Sequence, residues 1–335
     1  MNGSLVVRMA FVMFTAWAWS TQSAWAVTTC SATVTTLDFG SVGDVTQSTQ
    51  GAATLTVTCN TTALSLLANT KVRMCINIGK AVRDMPNAAI AGAALSYQLY
   101  KDASRTLIWG SSTTAAPANQ PLIIDLDYPV LVLVGGSGAV TRTLYGQIPA
   151  QANAAAGNYL HSYSAADTSV VFQSNSSLLG PASPPATCTS GGEAGTPTNF
   201  SFDVKANIPP SCDVLSASNL QFGSNAGAIT APLDNASSVA LTCRRGTAWT
   251  LGLDDGQNFS GGTRRMRKGT STDFVAYQLY RDSGRTTPWS TTGAGVATGT
   301  GTGTSMPQAV YGRVPAPQNV PAGEYLDVVT VTVTY

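Results

Sequence analysis

The run Tyr97-Gln98-Leu99-Tyr100-Lys101-Asp102, followed by Arg105-Thr106 and Trp109, recurs 180 positions later as Tyr277-Gln278-Leu279-Tyr280-Arg281-Asp282, Arg285-Thr286 and Trp289. Leu37-Asp38-Phe39-Gly40 returns as Leu220-Gln221-Phe222-Gly223, and Arg83-Asp84-Met85 as Arg264-Arg265-Met266. Tyr145-Gly146-Gln147-Ile148-Pro149-Ala150 and Ala156-Gly157-Asn158-Tyr159-Leu160 return as Tyr311-Gly312-Arg313-Val314-Pro315-Ala316 and Ala322-Gly323-Glu324-Tyr325-Leu326. The matches keep their order, so the chain holds two copies of one domain and is not a short-period solenoid. A boundary is expected near residue 199, behind the Pro-, Gly-, Ser- and Thr-rich residues 181–198, whose composition is that of a linker.

Each copy has the two-residue period of strands. Val329, Val331, Val333 and Tyr335 alternate with threonines, and residues 54–59 and 200–206 alternate similarly. Short strands between turn clusters predict an all-β chain of two β-sandwich domains. Residues 1–26 carry Arg8, an apolar run from Met9 to Trp19 and the site Ala24-Trp25-Ala26, which together predict a cleaved export signal. The domains expected are then 27–199 and 200–335. No later run reaches about 18 apolar residues, the length a membrane helix needs. The chain has 18 Lys+Arg and 17 Asp+Glu, and removal of Arg8 leaves 17 of each, so no overall charge draws it to nucleic acid.

All six cysteines follow the export signal, which predicts a disulfide framework. Cys30 and Cys59 flank one Phe-Gly motif as Cys212 and Cys243 flank the other, so each couple is expected to pair. Cys75 and Cys188 have no counterparts and are left to each other. His161 is the sole histidine, no Cys-x-x-Cys or Gly-x-Ser-x-Gly occurs, and no metal ligand set or cofactor is expected. A secreted hydrolase would have to use His161 as its base.

The ordered set of Cys, Phe-Gly, Cys, Tyr-Gln-Leu-Tyr, Arg-Thr, Trp, Tyr-Gly-x-Ile/Val-Pro, Ala-Gly-x-Tyr and terminal Val-Thr-Val-Thr-Tyr resembles the spore coat protein U domain, over nearly the whole chain after its signal. That family includes subunits of archaic, Csu-type chaperone-usher pili. The resemblance implies immunoglobulin-like sandwiches, the C-terminal one a pilin domain lacking a strand and completed by one donated from elsewhere. It implies a periplasmic chaperone, an outer-membrane usher and an adjacent, strand-donating pilus subunit as partners. A two-domain member resembles a tip subunit, exported through the periplasm to the cell surface and mediating adhesion and biofilm formation, with no enzymatic activity. Only Val27-Thr28-Thr29 stands between the expected cleavage site and Cys30, too little for a donor strand, and this favours the pilus tip. A structural rod or coat protein without an adhesive role is the alternative.

The terminal strand of Val329, Val331, Val333 and Tyr335 is the expected strand acceptor. Residues 200–208 could pair within the second domain or complete the first, and the sequence leaves both open. Features unique to the first copy are the candidates for a surface-binding site, taken to meet abiotic or host hydrophobic surfaces. They are Ala88, Ala89, Ile90 and Ala91, and a second loop with Leu178, Leu179 and Pro181 that Cys188 could tether. A third insertion lies within residues 115–134, of which 122–134 alternates enough to fit an added core strand better than a loop. Asp125, Asp127 and Asp254-Asp255-Gly256 read as turns, 298–304 as a flexible loop, and 264–268 as a basic, solvated edge.

Overall fold

The computed structural model describes residues 27–63, 67–80, 82–112, 120–178 and 180–335; the expected export signal and Leu179 lie outside the described residues. The first unit contains β1 (Thr28–Val34), β2 (Leu37–Ser41), β3 (Thr49–Thr61), β4 (Ala68–Ile78), β5 (Asp84–Pro86), β6 (Ala94–Ser96) and β7 (Gln98–Tyr100). It continues through β8 (Leu122–Val130), β9 (Gly136–Ile148), β10 (Gly157–Tyr163), β11 (Thr168–Leu178), β12 (Glu193–Ala194) and β13 (Phe202–Ile208). The second contains β14 (Cys212–Ala217), β15 (Leu233–Cys243), β16 (Ala248–Leu253), β17 (Arg264–Arg267), β18 (Phe274–Tyr280), β19 (Ala297–Thr300), β20 (Ser305–Val314) and β21 (Val331–Thr334).

Sheets β1-β3-β9-β7 and β12-β11-β4-β8 enclose the first core, and a third layer, β10-β13-β2, closes its side. The second unit repeats the plan as β14-β15-β20-β18-β17 and β19-β16-β21 around its own core. Alternation sets the faces: Leu55, Val57 and Cys59 of β3 are fully buried while Thr54 and Asn60 are exposed. The expected disulfides form, Cys30 with Cys59 and Cys212 with Cys243 directly opposite one another across paired strands, and Cys75 with Cys188. Each closes a loop worth about 3–5 kcal/mol.

The strand left unassigned by the sequence belongs to the first unit. β13 runs antiparallel to β10 and parallel to β2, and Phe200, Phe202, Val204, Ala206 and Ile208 all join the first core. That core therefore extends past the boundary expected at 199. Phe202 stacks on Tyr163 at 4.6 Å between ring centroids, and Phe200 and Phe202 both stack on Trp109.

Other expectations change once pairing is seen. Residues 297–300 form β19 against β16 instead of a loose loop, because β16 supplies hydrogen-bond partners from a distant part of the chain. Asp125 and Asp127 lie on β8, paired with Arg73 at 2.8 Å and Lys71 at 3.5 Å, not in a turn. Asp254 does act as a turn residue, accepting the amides of Gly256 and Thr330. Arg264 is not a solvated edge: it is buried and donates to the carbonyls of Asp254 and Trp289, as Arg83 does to Leu99 and Trp109. Burial pushes both guanidinium pKa values down.

His161 sits on β10, beside Val204 of β13 and stacked on Tyr163. Lys80 Nζ donates to its Nε2 at 3.2 Å, so Nδ1 carries the proton and donates to Tyr97 at 2.7 Å, and Tyr97 donates onward to Tyr163 at 3.1 Å. Burial first, then the Lys80 ammonium, hold the ring below its ordinary pKa, with Asp167 opposing and Arg83 adding to the depression. The neutral ring's contribution is thus complete above the unfolded value of about 6.5 and is lost as pH falls from there toward the folded value. Calorimetry should show the first unit's transition moving to lower temperature as pH drops below about 6.5, and His161→Gln should reduce that slope. An unchanged slope would place the proton uptake elsewhere. Phe202→Ala should cost the first unit about 3–5 kcal/mol and leave the second unit's transition in place.

Candidate functional site

Two surfaces stand out when one unit is read against the other. The first is a groove in the second unit. Residues 220–223 repeat β2 and residues 323–329 repeat β10, yet neither forms a strand, and among the described residues no segment lies paired between them. Leu37, Phe39 and Tyr159 are buried under β13, whereas their counterparts Leu220, Phe222 and Tyr325 are half-buried. Trp109 donates its indole N–H to Ile76 at 2.9 Å, while the buried Trp289 N–H has no hydrogen-bond partner. The second unit has the same disulfide and the same buried arginine as the first; what it lacks is the equivalent of β13.

The terminal residues divide across this geometry. Val329 stands where Tyr163 contacts Phe202 in the first unit, so it lines the groove. Val331 and Val333 are in β21, paired with β16, and Tyr335 is exposed beyond it. Residues 323–329 thus form one stretch of the groove wall, and the free edge of β21, which pairs only with β16, continues it.

The second surface is an apolar pole on the first unit. The turn between β8 and β9 presents Leu131, Val132, Leu133 and Val134, with Leu133 84% and Val134 79% exposed. Register brings more apolar side chains to the same end. Leu178 pairs with Ala68, Ala68 with Val130, and the exposed Leu67 and Val27 adjoin them through the loop after β3. Leu133 holds φ at +61°, a conformation costing a bulky residue about 1–2 kcal/mol that Gly or Asn would adopt more easily. Gly135 beside it meets a different demand, since a Cβ there would lie 2.7 Å from the Thr61 carbonyl.

The pole is remote from the second unit. β3 runs from Thr49, near the junction, to Thr61 at the pole, about 40 Å at the usual rise per residue. At the junction, Arg244 donates to the Gly43 carbonyl at 3.0 Å and Ala156 donates to the Arg245 carbonyl at 2.8 Å. Gly246 packs so closely on Ile90 that a Cβ would fall 2.1 Å from Ile90 Cδ1.

The sequence-selected loops are thereby separated. Ala88, Ala89 and Ala91 are exposed and Ile90 half-buried, but all four sit at the junction, not at the pole. Leu178, half exposed, belongs to the pole. Pro181 is exposed on a segment that lies down on the outer sheet face, where Ala182 donates to Asn69, Arg73 to Ala186, and Cys188 is bonded to Cys75. Leu131 to Val134 were absorbed into an expected core strand, and only their position past the last paired residue, Val130, reveals them as a tip.

Tyr97 and Lys80 occupy the two ring nitrogens of His161, and no cluster of three potential metal ligands occurs among the described residues.

The Spore Coat Protein U domain family matches residues 16–165 and 198–332, covering both copies. Protein U of Myxococcus xanthus is 32% identical over 157 residues, covering 43% of this chain and 87% of that protein. Among solved structures, similarity is found to the CsuC–CsuE chaperone–tip adhesion subunit pre-assembly complex of Acinetobacter baumannii Csu pili, at 16% identity and TM-score 0.44, covering 92% of this chain and 100% of that one. The CupB6 tip adhesin of Pseudomonas aeruginosa is similar at 14% identity and TM-score 0.35, covering 92% of this chain and 94% of that one. Both structures are too distant to bear on function. The family match over both copies is sufficient: this chain belongs to the Spore Coat Protein U domain family.

Proposed function

We propose that this chain is the adhesive end subunit of a chaperone-usher pilus, exported through the periplasm to the cell surface. The observation that carries the reading is the contrast between a first unit completed by β13 and a second unit open at the equivalent place. An open groove with unpaired edges invites aggregation, which a periplasmic chaperone prevents by lending a strand until a neighbouring subunit, added at the usher, supplies its own. The first unit's groove is already filled, so the chain joins the fibre through its second unit and points the first outward.

The apolar pole then becomes the contact surface. Among the described residues nothing covers its side chains, and such patches mark sites of contact. Attachment would draw on area removed from water, about 25 cal/mol per Å², and would discriminate little among hydrophobic materials.

Replacing Leu133 and Val134 together by Asp should lower attachment of piliated cells to polystyrene at least about tenfold, persist in high salt, and leave pilus length unchanged, because exposed positions contribute little to folding. Leu178→Ser should add to the loss, and Ile90→Ser should not affect attachment. Full attachment by the double variant would remove the pole from the adhesive role. Antibody labelling of the first unit along the shaft would favour the structural rod or coat alternative.

A further inference from the structure

The junction inside the chain offers a template for the junction the second unit makes with its partner, and the places where the two units differ specify that partner's charges. This inference rests on the groove reading given above. In the first unit, Asn207 of β13 donates to Asn158 at 2.7 Å, and Lys205 pairs with Asp38 at 3.2 Å. Ile208 pairs with Gly157, over which the Asn87 amide lies. β13 then leaves through Pro209 and Pro210.

The repeat maps each of these contacts onto the second groove. Asp38 becomes Gln221, which removes the partner of Lys205. Asn158 becomes Glu324, placing a carboxylate beside the residue equivalent to Asn207. Pro86 and Asn87 become Arg267 and Lys268, and the Lys268 side chain lies across Gly323, the counterpart of Gly157. The Arg267 guanidinium donates to the carbonyls of Thr270 and Ser271 while its backbone pairs with Leu326, and neither cation makes an ion pair among the described residues. Asp273 lies on the same loop and softens the field there, while Asp327 faces inward, held by Tyr277 at 2.7 Å and Asn258 at 3.0 Å. The rim of the groove thus reads negative and then positive along the direction of β13.

We propose that the strand docking in the second unit comes from a chain bearing a basic residue opposite Glu324 and an acidic residue just past the groove, beside Lys268. The intervening inward positions stay apolar, as Val204, Ala206 and Ile208 are. β13 itself, neutral at both diagnostic positions, is a poor match, so copies of this chain do not favour one another as partners.

Two isomeric peptides test this. Each spans residues 200–210, one with Asn207→Lys and Pro209→Asp, the other with Asn207→Asp and Pro209→Lys, so composition and net charge are identical. Fluorescence anisotropy with the full chain, whose first groove is filled, should show the first peptide binding about tenfold more tightly at low ionic strength, with the difference collapsing at high salt. Lys268→Glu in the full chain should narrow the gap. Equal affinities, or preference for the second peptide, would overturn the charge order while leaving the groove in place. Binding of neither peptide would overturn the groove reading itself.

Discussion

Each strand of a sheet carries a row of N–H and C=O groups that must find partners, and the two-sided pairing of β13 meets that demand for the first unit. β13 satisfies β10 on one edge and β2 on the other, and its inward side chains seal the core below. The second unit shows what the same fold looks like without it. Residues 220–223 and 323–329 keep the apolar sequence of the missing strand's neighbours but lose regular pairing and burial. The shared disulfide and buried arginine are present in both units, so neither accounts for the difference.

From that one strand the polarity of the molecule follows. β13 leads directly into the second unit at the end where Gly43, Ile90 and Ala156 meet Arg244, Arg245 and Gly246. The long paired strands β3 and β9 reach to the opposite end, where apolar residues stand in solvent. Placing Leu133 at a left-handed position in the turn between β8 and β9 sacrifices backbone comfort for apolar surface. A joining end and a contact end are thus separated by the length of the sandwich.

Much of this was legible in the sequence, and what was not had identifiable causes. Repeats kept in order revealed the two units, and the positions of Cys30, Cys59, Cys212 and Cys243 around the Phe-Gly motifs revealed their disulfides, because these features are local or duplicated. The alternation of residues 200–208 fits either groove equally, so only three-dimensional pairing assigns β13. Leu131 to Val134 continue an alternating strand without a polar break, and an apolar run does not disclose whether it ends inside the core or beyond it. Arg264 reads as surface because its partners are carbonyls, which are anonymous in a sequence. Ile90 reads as an exposed loop because its covering, Gly246, lies more than a domain away.

The central claim is that the second unit is left without a counterpart of β13, and amide hydrogen exchange measures that most directly. In the full chain without added peptide, amides of β10 and β13 should exchange slowly, near the rate set by global unfolding of the first unit, while the groove-side amides of Tyr325, Asp327 and Val329 should exchange within seconds to minutes, unlike that of Leu326, which donates to Arg267 on the other edge. Addition of a strand peptide should slow the second set. Protection of Tyr325, Asp327 and Val329 equal to that of β10 in the chain alone would contradict the account, since it would mean that the second unit is already complete.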